Sequence, residues 1–178
     1  MSHAAHMSAD APPPSSLSDA LQSLGPPDGV QALGGRCFLP FVEAATGRRF
    51  GLSWTETEPP LWGSVEGEEV VSCDPLRGKG SYLELMERPR HEVEDELDAA
   101  AQRYGLDVGD VLRSLPSVPW VTAVLGSRHN HLCRMALLWL LPSELREARP
   151  AIVAVAEDET LRIGLRQLAR RLIVAEDA

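Results

Sequence analysis

The chain has 178 residues, a net charge of −9 at neutral pH, 44% hydrophobic residues and 24% charged ones. Those values fit one globular domain, which buries roughly 70% of the surface its unfolded chain exposes and needs no disulfide staples. They disfavour general attraction to nucleic acid or an anionic membrane. Cys37, Cys73 and Cys133 lack a disulfide spacing and point to a reducing, cytoplasmic setting.

Residues 1–16 are small and polar, include Pro12-Pro13-Pro14, and are expected to form a disordered tail ahead of one α+β domain over 17–178. Met1–Met7 lacks the basic and apolar segments of a secretion signal. His6-Met7 reads as a cloning junction, which would make residues 1–6 tag-derived. Leu17, Leu21 and Leu24 recur at helical spacing, with Ser18 placed to cap the helix and Gly25-Pro26-Pro27 to stop it.

From Gly35 the period becomes two. Cys37, Leu39 and Phe41 alternate with Phe38, Pro40 and Val42, and Arg49, Gly51 and Ser53 alternate with Phe50, Leu52 and Trp54. This predicts a hairpin closed by Ala45-Thr46-Gly47, with Gly47 at positive φ and Pro40 at an edge or a bulge. Leu61–Val65, Val70–Cys73 and Tyr82–Met86 read as further strands, so the β-rich half covers 35–87.

Residues 90–174 follow a helical period. Val93, Leu97, Ala100 and Tyr104 form one stripe ending at Gly105. Asp107 caps a second helix, closed by Pro116, with Val108, Val111, Leu112 and Leu115 inward. Ser117-Val118-Pro119 opens a third that stops at Gly126. Ser127 is placed to cap a fourth, over 127–141, whose buried face is Leu132, Met135, Ala136, Trp139 and Leu140. Segments 150–157 and 160–173 make two more. The predicted fold is an N-terminal antiparallel β-meander of four or five short strands followed by a C-terminal bundle of five or six short helices. The longest apolar run, Met135 to Leu141, is far below the roughly 20 residues that span a bilayer.

Pro150, Ile152, Val153 and Val155 lie on the first of the last two helices, Asp158 in the turn, and Leu165, Arg166, Leu168, Ala169 and Leu172 on the second. With these residues the segment 147–174 resembles a single HEAT-type helical repeat. The resemblance implies a helical hairpin and a role in binding proteins. Such repeats stack about three units for stability, and at most one further, poor candidate is evident, around 118–141.

Chemistry-bearing residues are sparse. His129-Asn130-His131-Leu132-Cys133 holds two metal-ligand types, and a helix puts His129 and Cys133 one turn apart with His131 about 200° away from His129. A metal would then need Cys37, Cys73 or a carboxylate from elsewhere. Cys73, ahead of Asp74-Pro75, would serve as a nucleophile only with a base such as His91, His129 or His131 and a lowered pKa. Gly78-Lys79-Gly80-Ser81 is a fragment of a phosphate loop without its earlier glycine. None of these completes a site, so neither a cofactor nor a metal is expected.

Charge carries more. Residues 1–126 hold 19 acids and 9 bases, whereas residues 127–178 hold 7 acids and 8 bases. Glu84, Glu87, Glu92, Glu94, Asp95, Glu96 and Asp98 crowd one segment, more than a helix dipole explains. Glu92, Asp95 and Glu96 are therefore expected to face a basic partner protein. Arg162, Arg166 and Arg170 repeat every four residues beside Arg171 and make the second candidate surface; without interleaved aromatics, nucleic acid is disfavoured there. Of the 17 basic residues 16 are arginine, a bias expected of a high-GC bacterium. The expectation is a non-enzymatic protein-binding module: an adaptor, an inhibitor of immunity type, or a dedicated chaperone. The alternatives are a small metal- or thiol-dependent enzyme using His129, Cys133 and Cys73, and a nucleic-acid-associated regulator using the arginine helix.

Overall fold

The computed structural model describes residues 16–76 and 80–176. The expected tail, apart from Ser16, and Gly78-Lys79 of the phosphate-loop fragment lie outside the described residues. Helix α1 (Leu17–Ser23) is capped by Ser16, whose Oγ accepts from the Asp19 N–H at 3.2 Å. Ser18, expected as the cap, lies inside the helix, because Leu17 already belongs to the first turn.

Five antiparallel strands follow as a meander in chain order: β1 (Gln31–Leu33), β2 (Arg36–Glu43), β3 (Arg49–Trp54), β4 (Leu61–Glu66) and β5 (Glu69–Ser72). The β2–β3 hairpin closes with Gly47 at φ 81°, and the register slips between Pro40 and Val42, so Pro40 sits at a bulge in an internal strand. β1 is an additional strand, joined to β2 by Gly34-Gly35, both at positive φ as a two-residue hairpin turn requires. Gly51 lets β2 come close: a Cβ there would stand 1.9 Å from the Leu39 carbonyl oxygen.

Tyr82–Met86 is not a strand. It forms a single helical turn, α2 (Leu83–Met86), which buries Leu85 and Met86 together with Tyr82. The spacing i, i+3, i+4 serves a helix, and five residues are too few to separate that period from alternation.

Six longer helices complete the chain: α3 (Arg90–Tyr104), α4 (Val108–Ser114), α5 (Ser117–Gly126), α6 (Asn130–Trp139), α7 (Leu145–Glu157) and α8 (Ile163–Glu176). The α3 stripe and the Asp107 cap stand where the sequence puts them, the Asp107 carboxylate accepting from the Asp110 N–H at 2.8 Å. Several boundaries and one buried face differ, the last helix starting at Ile163 and not at 160. His129, not Ser127, caps α6, because Arg128 takes a left-handed φ of 56° and breaks the chain between α5 and α6. The fully buried face of α6 is Cys133, Ala136, Leu137 and Trp139, with Leu132, Met135 and Leu140 half-buried. Helix α7 begins five residues before Pro150, which is exposed and tolerated inside it.

One continuous core joins sheet and helices. Register partners share a face, so Leu39, Leu52 and Trp62 point together into it from β2, β3 and β4. A chain of rings runs from Tyr104 through Phe41 and Trp62 to Trp120 and Trp139, with centroids 5.8 to 6.4 Å apart, and Tyr82 stacks on Trp120 at 5.4 Å. The indole N–H groups of three tryptophans are all satisfied: Trp62 donates to Ser114 Oγ, Trp120 to the Cys73 carbonyl and Trp139 to the Arg88 carbonyl. Trp54 and Trp139 are both core residues, as their apolar stripes predict.

Candidate functional site

The structure separates the residues that looked reactive. His129 is exposed, and its Nδ1 caps α6 by accepting from the Leu132 N–H at 3.5 Å. Cys133 is buried one turn on, its thiol donating to the Leu125 and Val124 carbonyls at 3.5 and 3.7 Å. Burial raises its pKa, against which smaller hydrogen bonds act. Cys73 is also buried, with Ser81 Oγ 3.6 Å from its sulfur, and burial pushes its thiol up to about 11. A reactive cysteine needs the opposite shift. Among the described residues no three His, Cys, Asp or Glu side chains gather at metal-binding distance. His91 is exposed on α3 and His131 on α6.

Three of the seven acids in the segment are paired with its own Arg88 and Arg90 and a fourth with Arg48, so the segment keeps a negative excess. Arg88 reaches Glu96 at 2.6 Å and Glu92 at 3.8 Å, and the Glu96 hydrogen bond raises the Arg88 pKa above its usual value. Arg90 holds Glu94 at 2.8 Å and Glu144 at 3.3 Å, while Arg48 holds Glu84 at 3.1 Å. Asp98 accepts from the Gln102 amide. Of the three carboxylates read as a partner surface, Glu92 and Glu96 share one guanidinium, and only Asp95 is without an ion pair among the described residues.

The arginine stripe has the opposite character. Arg162 stands at the start of α8, with its backbone N–H on Asn130 Oδ1 at 2.8 Å and its side chain in solvent. Arg166 is half-buried near Asp158, whose carboxyl pKa is lowered mainly by hydrogen bonds from Thr160. Arg170 is exposed, and its guanidinium donates to the Ala156 carbonyl at 3.3 Å. Among the described residues Arg134, Arg162, Arg170 and Arg171 make no ion pair. The single acid of α8, Glu176, is engaged by Arg149 of α7.

Burial adds what the arginine spacing alone does not reveal. Leu165 and Ala169 face the core. At 100° per residue, Ile163, Gln167, Arg170 and Val174 fall within about 60° of arc on the opposite side. Ile163 and Val174 are 64% and 67% exposed, and Leu138 on the neighbouring α6 is 61% exposed. Ile163 and Val174 stand eleven residues apart, so they offer separate apolar anchor points along a charged face and no continuous apolar patch.

Several concavities lie elsewhere, two of them lined mainly by apolar surface. A cleft of about 670 Å³ opens beside the sheet, lined by Leu61, Trp62, Ser72 and Pro119, with the Arg36–Glu58 ion pair at its edge. A groove of about 550 Å³ runs between α5 and α7 over Leu125, Ala151 and Val155, with the Arg128–Asp158 pair at 3.4 Å at one end. No helix among the described residues is long and apolar enough to cross a membrane. The chain matches no protein-family model, no curated protein and no solved structure.

Proposed function

We propose that the protein is a non-enzymatic protein-binding module, acting as an adaptor, an inhibitor of immunity type or a chaperone. The observation that supports this reading is the solvent face of α8, where Ile163 and Val174 are exposed at either end of a stretch holding Arg170 and Arg171, which make no ion pair among the described residues. Leaving such side chains in water costs solubility, and a partner that covers them removes that cost. The thiol and histidine chemistry that would support an enzyme is instead absorbed by the core and by a helix cap.

The test is recovery of a stoichiometric complex when the tagged full-length chain is purified from the cells that make it. The complex should survive a chelator and a thiol-alkylating reagent. Recovery of the chain alone would refute the reading, and a turnover activity that either reagent abolishes would favour the enzyme in its place.

A further inference from the structure

Resting on the protein-binding reading, we infer that the solvent face of α8 docks an acidic, amphipathic helix of a partner protein. Three observations select that occupant. The face is basic, with Arg170 near its centre, Arg166 and Arg171 at its sides and no carboxylate before Glu176, which Arg149 already holds. It is apolar at both ends, Ile163 and Val174 lying about 16 Å apart along the axis, three helical turns. The adjacent α6 carries a second stripe of the same kind, exposed His131, Arg134 and Leu138, and contains no acidic residue.

Ridges at this spacing fit the side-chain rows of another helix. Apolar residues of that helix would cover Ile163 and Val174 while its carboxylates meet the guanidinium groups. Nucleic acid fits less well, because the face offers aliphatic side chains and no aromatic ring for base stacking, and the whole chain carries −9. A second copy fits less well too, since the carboxylates of α3 that could meet these arginines are mostly held by Arg88 and Arg90.

Fluorescence-anisotropy titrations of the purified full chain test the assignment with three probes. The first is a peptide of about five helical turns with Leu and Ala on one face and Glu on the other. The second has Lys in place of every Glu, and the third is a short DNA duplex. The acidic peptide should bind, and its affinity should fall about tenfold in Arg170→Gln/Arg171→Gln and again in Ile163→Gln/Val174→Gln, with the charge-dependent part shrinking as salt is raised. The Lys peptide and the duplex should bind at least about tenfold more weakly. Circular dichroism checks each variant, and Arg171→Gln alone serves if a double variant does not fold. Equal or tighter binding of the Lys peptide or the duplex would overturn the assignment, as would unchanged affinity in folded variants. If no peptide binds although a native complex is recovered, the α8 assignment fails alone. If no native complex exists, the protein-binding reading falls with it.

Discussion

The guanidinium of Arg90 lies 4.4 Å from the ring centroid of Trp139, whose Nε1–H donates to the Arg88 carbonyl at 3.0 Å. This contact ties the start of α3 to the end of α6. Arg90 also bonds Glu144, which accepts from the Ser117 hydroxyl and from the Leu141 N–H, so four segments meet at one buried cluster.

Trp139→Ala should cost on the order of 3–5 kcal/mol in urea unfolding, since it removes a large core side chain, a cation–π contact and a hydrogen bond. Glu144→Ala should cost roughly 3 kcal/mol, because the Arg90 charge, with only 9% of its side chain exposed, loses one of its two carboxylates. Arg90→Met/Glu144→Leu should recover much of that loss. A Trp139→Ala variant as stable as its parent would contradict the packing described.

Gly51→Ala should cost about 3 kcal/mol or more, since its methyl group would meet the Leu39 carbonyl oxygen and the strand backbone cannot move aside cheaply. Gly126→Ala is the control. Nothing lies within 4 Å of a methyl group there, so its effect should stay within about 1 kcal/mol. Thermal melts of the two variants distinguish the tight β2–β3 contact at Gly51 from the open helix position at Gly126.

The buried thiols make stability depend on alkaline pH. Cys73 has a pKa of about 11 in the folded protein against 9.0 when exposed, so the native state holds this proton more tightly. The associated stability is complete below pH 9 and is lost as pH rises toward 11, by on the order of 2–3 kcal/mol. Tyr82, raised by burial, adds to the same trend at higher pH. Cys73→Ala should flatten the slope of stability between pH 9 and 11. In the folded protein at neutral pH a thiol reagent should spare Cys73 and Cys133; rapid modification of either would contradict their burial.

The triple exchange Glu92→Gln, Asp95→Asn, Glu96→Gln should change stability by no more than about 1 kcal/mol, because the Arg88 pairs are partly exposed. It should also leave partner affinity within about twofold of the parent, since two of the three carboxylates already have a cation. A larger loss of affinity would return the docking surface to α3.

The strands were legible because alternation and a glycine turn act together over six to eight residues of β2 and β3. β1 escaped because three residues carry too little alternation, although Gly34-Gly35 is itself a hairpin signal. Tyr82–Met86 misled because its alternation and its helical spacing coincide. The α6 cap was missed because histidine seldom caps, and nothing in the sequence announces the left-handed Arg128. For the candidate surface, the arginine repeat was plain, but the carboxylate cluster outweighed it on a count of charges. Only the fold shows that Arg88 and Arg90 turn back onto that cluster, and that Ile163 and Val174 lie outside the Leu165–Ala169 stripe.

The most direct measurement is the composition of the complex purified from native cells through tagged parent, through Ile163→Gln/Val174→Gln/Arg170→Gln/Arg171→Gln, and through the triple α3 variant. The account predicts a stoichiometric partner with the parent and with the α3 variant, and an uncomplexed, folded chain with the α8 variant. A partner retained by the folded α8 variant but lost from the α3 variant would contradict it.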